Sequence, residues 1–174
     1  MELRVSPYII LRTGTFAAVS APIDDIVAFF AGRPELKRYL VLYISGNGSR
    51  LLTRVGDRTA TFDVRRAFTA HQLLTILRDA GHTIVFIEHD PTLFADAGGG
   101  VLAAVGQTMA ECAAGSIVIL YTPVPDRSFG VLAGYAGQII TMGESQQKDA
   151  ERRTGSRGGH ERRKASDQAT LEVF

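Results

Sequence analysis

The sequence predicts an α/β fold, a mostly parallel central sheet with helices covering both of its faces. Three observations carry this. The runs Tyr39–Ile44 (YLVLYI), Thr83–Glu88 (TIVFIE) and Ser116–Tyr121 (SIVILY) are apolar without polar alternation, the mark of strands buried on both sides. Stretches of helical periodicity separate them, and strands alternating with helices build parallel sheets. The chain has 174 residues and is 45% hydrophobic, which suffices for one core.

Taken in order, Thr15–Ser20 (TFAAVS) reads as a strand and Ile23 to about Ala31 as a helix. Tyr39–Ile44 is a buried strand that ends at Gly46-Asn47-Gly48, a turn-forming cluster. Thr59–Val64 is a further strand. Thr69 then caps an amphipathic helix with Leu73, Leu74, Ile76 and Leu77 inward and Gly81 past its end. Thr83–Glu88 follows as a strand, Gly98–Gly100 leads into a helix through Ala114, and Gly115 closes it. Ser116–Tyr121 is the next buried strand, and Val131–Met142 supplies one or two edge strands.

Charge and composition exclude several classes. The net charge of +1 implies no global pull toward nucleic acid or a membrane. Cys112 is the one cysteine, so an internal disulfide and a thiolate zinc cluster are excluded, and a reducing cytoplasm is expected. No apolar run approaches the roughly 18 residues of a membrane span. After Gly143 the character changes: residues 144–167 hold no aliphatic side chain larger than Ala. Such sequence cannot bury enough surface to offset chain entropy, and disorder is expected. Its arginine pairs, Arg152-Arg153 and Arg162-Arg163, could touch DNA phosphates, but a solvated linker is the reading favoured.

The segment from Arg65 to Leu74 (RRAFTAHQLL), with the order of elements around it, resembles RecA-like recombinases of the archaeal RadA/RadB type. The resemblance spans about residues 10–143 and implies a RecA-like three-layer α/β/α fold. It makes Thr83–Glu88 the Walker B strand, with Glu88 and Asp90 at its acidic end. It makes Ser116–Thr122 the strand that ends in a phosphate sensor, and 130–142 late antiparallel strands. It also makes Thr15–Ser20 the strand feeding the P-loop. A P-loop needs G-x-x-x-x-G-K-[ST], whose amides, lysine and hydroxyl hold phosphate and magnesium. Here the join reads Ser20, Ala21, Pro22, Ile23, Asp24, Asp25. It has no glycine or lysine, Pro22 lacks an N–H, and two carboxylates would repel a triphosphate. The residues thus predict a degenerate Walker A position, no nucleotide cofactor and no ATPase activity. Thr122-Pro123 departs from the sensor pattern as well.

Other chemistry was weighed against plainer roles. Ser45–Arg50 could cradle an anion, but two glycines after a strand more often make only a turn. Glu88, His89 and Asp90 could hold a divalent metal; neighbours on a strand point to opposite faces, so no metal site is predicted there. His71 and His82 read as surface or hydrogen-bonded residues, and Cys112 as a small core residue with nothing to lower its pKa.

The chain ends in Gln168-Ala169-Thr170-Leu171-Glu172-Val173-Phe174. One 3₁₀ turn would set Gln168, Leu171 and Phe174 on one face as a small apolar plug. The string resembles the PCNA-interacting peptide of archaeal replication and repair proteins, without its second aromatic residue. By that resemblance Gln168 enters the clamp's glutamine pocket, and Leu171 and Phe174 its hydrophobic pocket. A fortuitous apolar end, or a short helix folded back on the domain, is the plain alternative. The expectation is a non-catalytic adaptor with three segments, 1–143, 144–167 and 168–174. Its expected partners are the PCNA sliding clamp and a RadA-type recombinase. A divergent ATPase and a small-molecule-binding domain unrelated to DNA stand as alternatives.

Overall fold

The computed structural model describes residues 1–6, 9–55 and 62–143. The chain divides into two units, Met1–Met142 and Gly143–Phe174, and the architecture below is that of the first. The expected linker and terminal peptide, 144–174, lie outside the described residues, as do 59–61 of the expected strand at Thr59–Val64.

An antiparallel hairpin opens the fold: β1 (Glu2–Ser6) and β2 (Ile9–Arg12). Neither strand was expected from the sequence. Six parallel strands then form the central sheet: β3 (Thr15–Ser20), β4 (Val41–Ser45), β5 (Phe62–Arg66), β6 (Ile84–Glu88), β7 (Ile117–Thr122) and β8 (Gln138–Thr141). Their order across the sheet is β5-β4-β6-β7-β3-β8. Among the described residues, five α-helices lie between them: α1 (Ile23–Ala31), α2 (Arg50–Val55), α3 (Ala70–Arg78), α4 (Gly99–Ala113) and α5 (Arg127–Ala133). The fold is therefore the three-layer α/β/α arrangement expected.

Strand alternation splits the core in two. Val19, Tyr43, Phe86, Ile119 and Tyr121 face the hairpin, α1 and α2, where Leu3, Leu11, Phe30 and Leu51 are buried. Ala18, Leu42, Ile44, Ile87 and Leu120 face α3, α4 and α5, where Leu73, Leu77, Val105, Met109 and Leu132 are buried. Both faces of the sheet are thus dry, which explains why the central runs lack alternation. Helix α3 begins as its residues predict: Thr69 Oγ1 accepts from Gln72 N–H at 3.2 Å, and Gln72 Oε1 accepts from Phe68 N–H at 2.7 Å.

Two expectations need correction. Residues 131–133 of the expected edge-strand region Val131–Met142 are the end of helix α5, which is begun by Asp126, whose carboxylate accepts from Phe129 N–H at 2.7 Å. The β-rich look of Val131 and Leu132 was overridden by that cap and by burial of Phe129 and Leu132 at helical spacing. The one strand of the region, β8, runs parallel to β3 and not antiparallel. The helix returns the chain to the starting edge of the sheet, which only a parallel strand can use.

Candidate functional site

A parallel sheet collects the carboxyl ends of its strands along one rim, and ligands bind there where successive connections leave toward opposite faces. The connections after β3 and β4 cross the face of α1 and α2, and those after β5, β6 and β7 cross the other. The neighbours β4 and β6, and the neighbours β7 and β3, thus send their connections to opposite faces. These strand ends carry the Glu88-His89-Asp90 segment, the Ser45–Arg50 segment, and the Ser20–Asp25 join.

Only Ala21 and Pro22 lie between β3 and α1. Ala21 N–H donates to the Thr122 carbonyl at 3.2 Å, and the Tyr121 hydroxyl donates to the Ala21 carbonyl at 3.2 Å. Pro22 sits at the N-cap and has no N–H, so neither of the two residues between β3 and α1 has an amide left to offer an anion. Asp24 and Asp25 occupy the first turn of α1, where they complement the helix dipole, and Asp24 pairs with Arg54 at 2.5 Å. At the end of β7, the Thr122 hydroxyl donates to the Val124 carbonyl at 2.9 Å and accepts from Val124 N–H at 3.3 Å. That hydroxyl is consumed by its own turn.

The glycine cluster after β4 has a structural role. A side chain at Gly46 would collide with the Asp90 carboxylate, so the loops after β4 and β6 pack closer than any Cβ permits. Gly48 faces open space. Ser49 caps α2 by accepting from Leu52 N–H at 2.8 Å. Asp90 caps the 3₁₀ turn Pro91–Phe94, accepting from Thr92 N–H at 2.9 Å and from Thr92 Oγ1 at 2.6 Å.

Glu88 and His89 diverge as strand neighbours must. Glu88 Oε2 accepts from the Tyr43 hydroxyl at 2.6 Å and, closer still, from Ser49 Oγ. Tyr43 stacks on Phe86 with ring centroids 5.3 Å apart, and Tyr121 lies 5.7 Å from Phe86 on its other side. Burial first, then the Glu88 charge, raises the Tyr43 hydroxyl far above its ordinary pKa. The same causes, with Asp25 and Asp24, push Tyr121 up to about 12. Both phenols therefore stay protonated and donate, and the carboxylate ties β4, β6 and α2 together. Ser45 Oγ, in the strand beside Glu88, is buried without a protein partner.

On the other face His89 stacks on Phe94, ring centroids 5.7 Å apart, with Phe129 edge-on. Its Nε2 lies 3.1 Å from both Asp126 oxygens and 3.3 Å from Ser128 Oγ. These are the residue types of a hydrolytic triad without its geometry. A triad needs carboxylate and hydroxyl on opposite ring nitrogens, whereas here both crowd one and Nδ1 is buried without a partner. Burial works to raise the Asp126 pKa, but hydrogen bonds from Phe129 N–H, Ser128 and His89 outweigh it and leave it below the ordinary value. The cluster fastens the start of α5 to the end of β6.

Elsewhere, Cys112 is half-buried with its Sγ 3.8 Å from Ser116 Oγ, and burial pushes its thiol up, away from a nucleophile's range. His71 is exposed, and His82 lies 3.3 Å from Asp63. Among the described residues no group of three His, Cys, Asp or Glu side chains could hold a metal, and no helix is long and apolar enough to cross a membrane. Tyr43, Asp126 and Ser128 escaped the sequence reading, which held Ser49 only as part of the Ser45–Arg50 turn. Pro125-Asp126 before Phe129 is an N-cap signal that could have revealed Asp126. Gln168, Leu171 and Phe174 lie outside the described residues.

No protein-family model matches the chain. It is 32% identical, over 163 residues, to an uncharacterized protein of the archaeon Archaeoglobus fulgidus, covering 92% of this chain and 83% of the relative. Identity at that level along nearly the whole of both chains reflects one shared fold and descent, and the chain belongs to the same family as the Archaeoglobus fulgidus protein.

Proposed function

We propose that this chain is a non-catalytic RecA-like adaptor of the archaeal cytoplasm. It binds the PCNA sliding clamp through Gln168, Leu171 and Phe174 and acts in DNA replication, recombination or repair. The observation that carries the reading is the terminal pattern of a glutamine, an aliphatic residue three on and an aromatic six on, at the end of a charged linker. A linker gives such a peptide reach, and a few buried side chains supply most of its binding energy. The absence of catalysis is supported at the β3–α1 join, where the Ala21 amide is spent, Pro22 has none, and Asp24 and Asp25 add two carboxylates in the first turn of α1. Glu88, committed to Tyr43 and Ser49, is supporting evidence of the same kind. An archaeal relative agrees with the archaeal type of the resemblance. A RadA-type recombinase is the partner proposed for the folded unit, and the arginine pairs of the linker are the proposed DNA contact.

Calorimetric titration of the full chain against an archaeal sliding clamp tests the reading. Binding is expected, and Phe174→Ala should abolish it; no binding by the parent chain, or equal binding by both, overturns it. Thermal melts with and without Mg-ATP test the second half. The melting temperature should not move, because only a nucleotide that binds the folded state raises it.

A further inference from the structure

The sheet has two open edges, and they are built differently. β5 carries Asp63, Arg65 and Arg66, all charged and at least partly exposed, the usual defence of an edge strand against pairing with another chain. β8 carries Gln138, Ile139, Ile140 and Thr141 and has no charge. From Ser128 to Gly143 the sequence holds no charged residue at all, in a chain of which 21% is charged. Ile139 is 67% exposed, and Val131 and Tyr135, which precede it in the same uncharged stretch, are exposed large hydrophobics too. No described residue pairs with the outer edge of β8.

We propose that two copies of this chain join through β8, antiparallel about a two-fold axis, so that their sheets run on as one. The symmetry selects this arrangement. Joining β8 to the β5 edge of the next copy would be head-to-tail, which leaves a free edge and grows without closure, and the β5 charges oppose it. Pairing β8 with its own copy is closed, and the edge carries no like charges to repel. Residues opposite one another in an antiparallel pair share a face, so a two-fold axis through the pair must set one residue against itself. Of the two interior residues of β8, Ile140 is buried beneath its own sheet, and Ile139 is the exposed one. Centring on Ile139 brings the two exposed isoleucines together and places Gln138 opposite Ile140 of the other copy. β-Branched cross-strand pairs of this kind are favourable contacts in sheets.

Sedimentation velocity of the full chain across a concentration series tests this directly. A concentration-dependent species of twice the chain mass is expected. Ile139→Lys should reduce it to monomer with the melting profile of the monomeric fold retained, and Val64→Lys, on the β5 edge, should leave the dimer intact. If Ile139→Lys fails to fold, Ile139→Cys decides: mild oxidation should yield a disulfide-linked dimer that the parent chain, with Cys112 alone, does not form. A parent chain that stays monomeric at all concentrations, a dimer untouched by Ile139→Lys, an uncrosslinked Ile139→Cys, or open-ended assembly lost in Val64→Lys each overturns the proposal.

Discussion

The join between β3 and α1 and the join between β4 and α2 are both strand-to-helix turns on the same rim, yet they solve the turn in opposite ways. The first has no glycine and makes the turn in two residues, with one amide spent on Thr122 and the other removed by Pro22. The second has two glycines, but Gly46 is there because Asp90 occupies the space of its side chain, and Ser49 is engaged by Glu88 and by the helix it caps. A glycine after a buried strand thus marks a close neighbour at least as readily as a bound phosphate. The difference teaches that composition at a turn is read correctly only when the opposite loop is known.

The sharpest way to break this comparison is at the glycines. Gly46→Val should cost about 1–3 kcal/mol, the usual range for forcing extra atoms into a packed position, because Asp90 is held by Thr92 and cannot swing clear. Gly48→Ala should fall within about 0.5 kcal/mol of the parent, as open-surface changes do. Urea unfolding of the two variants measures both. Equal losses would mean that Gly46 serves backbone conformation and not clearance.

Tyr121 stands between the joins, its hydroxyl on Ala21 of the first and its pKa raised by burial and then by Glu88 beside the second. With its pKa pushed up to about 12, from an ordinary value of about 10, the group stabilises the fold fully below the ordinary value. That contribution is lost as pH rises through the folded value. Tyr121→Phe should lower stability at neutral pH by about 1 kcal/mol for the lost hydrogen bond, and should lessen the decline between pH 10 and pH 12. Melting temperatures across that window are the check; an unchanged alkaline slope would remove Tyr121 as its source.

The smallest effect is expected at the acidic end of the first join. Asp24→Ala breaks an ion pair with Arg54 that is exposed on both sides, and such pairs are worth about 0–1 kcal/mol. The loss should shrink further in high salt. A larger or salt-independent loss would show that Asp24 shapes the turn itself.

Legibility followed locality. β3, α1 and the start of α3 were readable to the residue because their signals are local: an apolar run, acidic residues in a first turn, and Thr69 three residues before Gln72. The hairpin at the N-terminus was missed because its alternating Leu3, Val5 and Leu11 gain meaning only from the face they cover. The end of helix α5 read as strand because Gly134 and Gly137 lie within the stretch Val131–Met142, whereas Gly134 is the C-cap of a helix that is packed against α4. At the rim, Glu88 was legible as an acid after a buried strand, but its partner Tyr43 lies 45 residues away and reads as one more apolar residue. A separation of 37 residues likewise hid the pairing of His89 with Asp126.

The position of β3 bears on how the chain is made. It is an early strand of the central sheet, yet its two neighbours are β7 and β8, completed only at Thr122 and Thr141. During synthesis Phe16, Ala17, Ala18 and Val19 leave the ribosome long before any strand exists to pair with them. The sheet cannot close until almost the whole folded unit has been delivered, and long-range parallel pairing of this kind is slow. Between those moments the nascent chain carries an apolar segment without a partner, the kind of surface that chaperones hold and that aggregation exploits.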